Sequence, residues 1–162
     1  MLALPAMATS VYTYTGNDFS DVTGPYTTSD SITGSLTISS PLAANLMFSE
    51  NNVTPIAYSF TDGVQTFTNN SALTDVIFGF ATDSEGNITG WLVSLSDGDD
   101  TNRIQTSGYV VLSLVDYAIN NSAEGQVVNE PGKWTIAPEP GSLLVVGAGL
   151  LAAGVRRRWA GR

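Results

Sequence analysis

Ile56-Ala-Tyr-Ser-Phe-Thr61, Asp62-Gly63 and Val64-Gln-Thr-Phe-Thr68 form the stretch whose reading decides the fold. Two runs of aromatic, aliphatic and hydroxyl residues flank an Asp-Gly pair. That order predicts a β-hairpin, with Asp-Gly suited to a type I′ turn in which both central residues take positive φ. The same pattern recurs on either side. Asp75 to Ala81 and Ile88 to Leu95 flank Thr82-Asp-Ser-Glu-Gly-Asn87, which predicts a second hairpin. Val11-Tyr-Thr-Tyr-Thr15 alternates and ends at Gly16-Asn17-Asp18. Ile32 to Ser39 places Ile32, Leu36 and Ile38 on one face, because strand side chains alternate with period two. Ala44 to Phe48, after Pro41, reads as another strand. Gly108 to Val115 is apolar enough to predict a central strand, and Lys133-Trp-Thr-Ile136 a short last one. Asn120 to Gly132 is polar and reads as a loop.

About eight short strands at this spacing predict an all-β fold, an antiparallel β-sandwich or jelly-roll-like domain. A β-solenoid or flattened barrel is the alternative, although no internal repeat supports a solenoid. Strong helix formers are scarce until the C-terminus, where one hydrophobic helix is expected. The chain has 162 residues, no cysteine and no histidine. Packing, not disulfides, must therefore hold the domain together. Most zinc, haem, iron–sulfur and copper sites are excluded by composition. Between Thr9 and Ala137 only Arg103 and Lys133 are basic, so the domain is strongly acidic. Such a field disfavours nucleic acid and anionic lipid.

The last residues follow a different pattern. Pro138-Glu139-Pro140 is a stiff extended segment, because each proline also restricts the residue before it. An apolar run from Gly141 to Val155 follows, then Arg156-Arg157-Arg158. The run is apolar or small on every helical face and spans ~22 Å as a helix, short of a ~30 Å hydrocarbon core. Flanking arginines and local thinning accommodate such a length, and the arginine cluster is expected to stay cytoplasmic. A buried C-terminal helix is the alternative.

Pro138, Glu139 and Pro140, the apolar run and Arg156, Arg157 and Arg158 together resemble the PEP-CTERM sorting domain of Gram-negative bacteria. The resemblance implies recognition by an exosortase, a multi-pass membrane enzyme with a cysteine nucleophile that cuts at the motif. It also implies an exported protein with an inner-membrane intermediate, then a place in the cell envelope or outside it. Extracellular polysaccharide and biofilm are the associations that come with it. The likeness covers residues 138–162. Thr13-Tyr-Thr-Gly-Asn-Asp-Phe19 and Val22-Thr-Gly-Pro-Tyr-Thr-Thr-Ser-Asp30 also resemble uncharacterised PEP-CTERM proteins, which brings no activity.

The N-terminus agrees with export. Ala6-Met7-Ala8 has the small-x-small form of a signal peptidase site, so residues 1–8 read as the remnant of a signal peptide whose start lies upstream. An ordinary unstructured N-terminus is the alternative. The expected organisation is residues 1–8 as this remnant, 9–137 as an exported β domain and 138–162 as the sorting tail.

Few residues suggest chemistry between these addresses. Histidine, the usual general base, is absent, and a Ser-Lys dyad would need Lys133, the one lysine. No nucleophile-elbow or phosphate-loop pattern occurs. The expected protein is therefore not an enzyme and needs no cofactor. Two acidic loops are candidate calcium sites: Asp97-Gly-Asp99-Asp100, and Asp83-x-Glu85-x-Asn87. Calcium takes six to eight oxygens, which loop carboxylates and carbonyls supply. Solvated turns are the plainer reading. Tyr12, Tyr14, Tyr26, Tyr58, Trp91, Tyr109 and Trp134 would suit a carbohydrate platform if exposed, and core pairs if not. The functional expectation is a structural or adhesive exported protein, with a carbohydrate- or calcium-binding module as the alternative.

Overall fold

Alternation in the first strand sets the plan. Tyr12 and Tyr14 are buried while Thr13 and Thr15 are exposed, so β1 (Ser10–Asp18) covers a core with one face. A computed structural model describes residues 9–99 and 101–137. The strands that follow are β2 (Asp21–Val22), β3 (Ser31–Ile38), β4 (Ala57–Thr61), β5 (Thr66–Thr68), β6 (Asp75–Thr82), β7 (Ile88–Ser96), β8 (Asn102–Tyr109), β9 (Ser113–Asn120), β10 (Ala123–Val128) and β11 (Lys133–Ile136). They form two antiparallel sheets, ordered β11-β1-β3-β4-β5 and β2-β10-β9-β8-β7-β6. Consecutive strands are neighbours through most of both sheets. This is a meander order, not the double Greek key of a jelly roll. The expected C-terminal helix and signal-peptide remnant lie outside the described residues. Among those described, no helix is long and apolar enough to cross a membrane.

The two sheets face each other across one aromatic-rich core. The Tyr14 ring lies 5.9 Å from Trp91, Phe60 lies 6.4 Å from Phe78, and Trp134 lies 5.3 Å from Phe80. Each contact joins the two sheets, so the layers are held by side-chain packing. Ile32, Leu36 and Ile38 are buried together, as their spacing required.

Four sequence expectations change. Thr61 pairs with Thr66, so the β4–β5 connection holds four residues, Asp62 to Gln65, and is not a two-residue type I′ turn. Asp62 turns inward to accept hydrogen bonds from the Val64 and Gln65 amides instead. Ala44 to Phe48 is loop: Asn45 takes φ 56°, which breaks the strand, and Phe48 stacks on Tyr109 at 4.1 Å. Gly108 to Val115 is the end of one hairpin, because β8 stops at Tyr109 and β9 starts at Ser113 with φ 141°. Val110 and Val111 are thereby 80% and 82% exposed. Asn120 to Gly132 contains β10, since Asn121 (φ 49°) and Ser122 (φ 77°) form the tight positive-φ turn that the Asp-Gly pair does not. β1 also runs on to Asp18, with a register shift after Thr15.

The edge of β6 is covered by the segment after the Ala44–Phe48 loop. The Asn52 side chain donates to Phe80 C=O at 2.8 Å and accepts from Phe80 N–H at 3.0 Å. It thus satisfies one residue of the strand as a neighbouring backbone would, which protects an otherwise open edge.

Candidate functional site

The last strand leads directly to the predicted sorting residues. Trp134 points inward from β11 and contacts Tyr14, Phe60 and Phe80. β11 pairs with β1 from Tyr12↔Ile136 to Thr15↔Lys133. The Ala137 amide then donates to Val11 C=O at 2.8 Å. The backbone is therefore held in register up to the residue before Pro138. Because β1 and β11 are antiparallel neighbours, Thr9 and Ala137 leave the fold at the same end of the five-stranded sheet. Pro138, Glu139, Pro140, Arg156, Arg157 and Arg158 lie outside the described residues, and so does Asp100.

A cleft of about 260 Å³ lies beside this exit, between the β6–β7 turn and β11. Tyr12, Asn87, Ile88, Trp91, Lys133 and Trp134 are among its walls. The buried Trp134 Nε1 has no hydrogen-bond partner. The aromatic residues expected from sequence are scattered, not ranked on one surface. Tyr12, Tyr14, Tyr26 and Trp91 are buried in the core, and Tyr58 packs on Phe78. Tyr109 stacks on Phe48 in the other sheet's outer layer. Only edges of Tyr12, Trp91 and Trp134 reach the cleft together.

The two acidic loops lie at opposite ends of β7, some nine strand residues apart, or ~30 Å. Asp83 accepts from the amides of Glu85 and Asn87 and from Asn87 Nδ2, each at 2.9 Å. These donors, Asn87 above all, hold its carboxyl below the usual range. Glu85 is 3.3 Å from the same Asn87 amide group. Asp97 accepts from Asn102 Nδ2 at 2.7 Å, which likewise lowers its carboxyl. Asp99 is exposed. Among the described residues no three of His, Cys, Asp and Glu converge as metal ligands.

Two buried carboxylates were not read from the sequence. Asp116 faces the core from β9, and its Oδ1 accepts from Tyr14 OH at 2.6 Å. Tyr14 OH in turn accepts from the Gly132 amide at 2.7 Å. Burial pushes the Asp116 carboxyl up to about 6, against the pull of the Tyr14 and Thr106 hydroxyls. Burial first, then the Asp116 charge, raises the Tyr14 hydroxyl well above its ordinary value. Thr106 Oγ1 accepts from Trp91 Nε1 at 2.9 Å within the six-stranded sheet, and the Tyr14–Asp116 bond joins that sheet to the other. Asp62 is also fully buried and receives Tyr26 OH at 2.8 Å and Gln65 Nε2 at 2.9 Å. Asp62 has donors on both oxygens, as a buried carboxylate requires, whereas Asp116 has one on Oδ1 and its buried Oδ2 has none. The sequence signal for Asp116 was a lone acid on the inward parity of an apolar run.

Residues 137–158 match the PEP-CTERM protein-sorting motif. The match begins at Ala137, the residue that makes the last backbone bond among the described residues. It implies an exported protein that is processed at a membrane by an exosortase. No curated protein matches this chain, and no solved structure matches it.

Proposed function

We propose that this chain is a non-enzymatic cargo protein whose β domain an exosortase releases, and whose mature role is structural or adhesive in the envelope or extracellular matrix. One observation supports it above the rest. The last backbone hydrogen bond among the described residues, Ala137 N–H to Val11 C=O, coincides with the first residue of the matched motif. A cut at or after Pro138 would therefore leave every described contact in place. The core carboxylates are engaged in hydrogen bonds that join strands, which suits a load of packing and not of turnover. An anionic, cysteine-free surface suits an exported protein. Association with extracellular polysaccharide belongs to this reading.

The test is replacement of Pro138 and Pro140 by alanine in a host that carries the processing enzyme. Intact mass of protein from envelope and culture fractions is the readout. The parent is expected to lose the residues after about Pro138, and the variant to retain the arginine tail in the membrane fraction. Release of the variant at the parental rate would refute the reading.

The cleft beside β11 favours a second reading, a module for a small sugar held between Tyr12, Trp91 and Trp134. The Asn87 side chain lies beside these rings in the wall of the cleft, a polar group next to apolar surface as a sugar requires. Titration with monosaccharides, followed by tryptophan fluorescence, tests it. For the calcium version, a ligand bound only by the folded state raises the melting midpoint, so no change at millimolar calcium would sink it.

A further inference from the structure

Apolar side chains left in water are concentrated where the chain ends leave the domain. β3 ends at Ile38 opposite Ser10, and the loop beyond it reaches the β6–β7 turn: Asn45 N–H donates to Asp83 C=O at 2.7 Å, and Thr82 N–H to Leu46 C=O at 3.0 Å. The cleft joins Tyr12 and Ile136 to Asn87 and Ile88 of the same turn. The terminus-bearing strands therefore meet the end of the six-stranded sheet at which β7 begins. At that end β8 also turns into β9, through Val110, Val111 and Leu112. Met47 (85% exposed) lies in the Ala44–Phe48 loop, and its neighbour Phe48 stacks on Tyr109 at the base of the tip. Ile56 and Ile136 are 55% and 54% exposed on the terminus side. Val64, by contrast, lies in the β4–β5 turn at the far end.

A hairpin tip of three consecutive apolar residues is unusual in water, and exposed patches of this kind mark interaction surfaces. The chain outside the described residues indicates the partner. Only Pro138, Glu139 and Pro140 separate Ala137 from the apolar run, a reach of ~10 Å when extended. A run held in a bilayer would keep this corner within that distance of the headgroups. No lysine or arginine lies among the tip residues or in the Ala44–Phe48 loop, so attraction to anionic headgroups does not drive contact. We propose that the Val110–Leu112 tip, with Met47, inserts into the bilayer interface while the tail is still attached. This orients the domain so that Pro138-Glu139-Pro140 is presented at the membrane surface. The proposal rests on the tail reading above.

The chain has no cysteine, so single cysteines report cleanly. Val111→Cys, Met47→Cys, Val64→Cys and Val145→Cys would each carry an environment-sensitive fluorophore on the full chain, reconstituted in phosphatidylcholine vesicles with and without nitroxide-labelled lipid. Position 145 is expected to be quenched by the nitroxide, which shows the tail in the bilayer. Positions 111 and 47 should be blue-shifted and quenched, and position 64 should read as water. Quenching at 145 with water-like emission at 111 and 47 would overturn the proposal alone. Absence of quenching at 145 would overturn the tail reading with it. A blue shift at 111 without nitroxide quenching would show a protein surface there, a second copy or the chain's own tail, and would also overturn it.

Discussion

Asp116 carries the clearest pH dependence in the molecule. Folding raises its carboxyl from 3.8 to about 6, so the folded state holds that proton more tightly than the unfolded chain. The stability it lends is complete below about pH 4 and is lost as pH rises through about 6. Two pKa units correspond to at most ~3 kcal/mol. Thermal melts are therefore expected to show a higher midpoint at about pH 5 than at about pH 7.5, and Asp116→Asn to flatten that slope. Asp83 and Asp97 act in the opposite sense: their lowered carboxyls contribute above the ordinary value and cease to as pH falls below about 4. Gly16 makes room for this cluster. A Cβ there would sit 2.5 Å from Asp116 Oδ2 and 2.6 Å from Ile32 C=O, a backbone atom that cannot yield cheaply. Gly16→Ala is expected to cost ~1–3 kcal/mol in urea unfolding. Of this cluster the sequence showed only a solitary acid in Leu114-Val-Asp-Tyr-Ala-Ile119. Its partner Tyr14 stands 102 positions away, and no local pattern links the two.

Strands were legible where turn residues bound a short run of β-branched, aromatic and hydroxyl residues. β3, β6, β7 and β11 fall within a residue or two of their expected places, because turn residues such as Asp83 to Asn87 and Gly132 mark their ends. The misreadings have local causes. Val110, Val111 and Leu112 look like buried strand residues, and composition alone cannot distinguish a core strand from an apolar hairpin tip. β10 was hidden because its turn, Asn121-Ser122, reaches positive φ without a glycine. Ser122→Gly should relieve that conformation and raise unfolding free energy by ~0.5–1 kcal/mol, measured by denaturant titration. The edge of β6 offers the converse test. Asn52→Ala removes both hydrogen bonds to Phe80 and leaves part-buried backbone groups unmet. A loss of ~1–3 kcal/mol is expected, with faster amide exchange at Phe80.

For the molecule as a whole, the address was legible and the mature role was not. A sorting tail is a linear pattern read by another protein, whereas adhesion or ligand choice depends on surfaces assembled from distant strands. The seven aromatics illustrate this: their residue types suited sugar stacking, and packing turned most of them inward. Two truncations separate fold from address. Ending the chain after Ala137 should leave the melting midpoint unchanged, since every described backbone bond survives. Ending it after Gly132 removes β11 and Trp134, whose loss from the core is expected to cost ~3 kcal/mol or more and to lower the midpoint visibly by calorimetry. The adjacency of β1 and β11 has a mechanical consequence. A chain held by both ends would load that pair from one side, so its four registered positions, from Tyr12↔Ile136 to Thr15↔Lys133, would open in succession like a zipper under tension. Held by one end only, the same domain would feel no such peeling. Removal of the tail would take away one of the two handles, and with it the load that peels this pair.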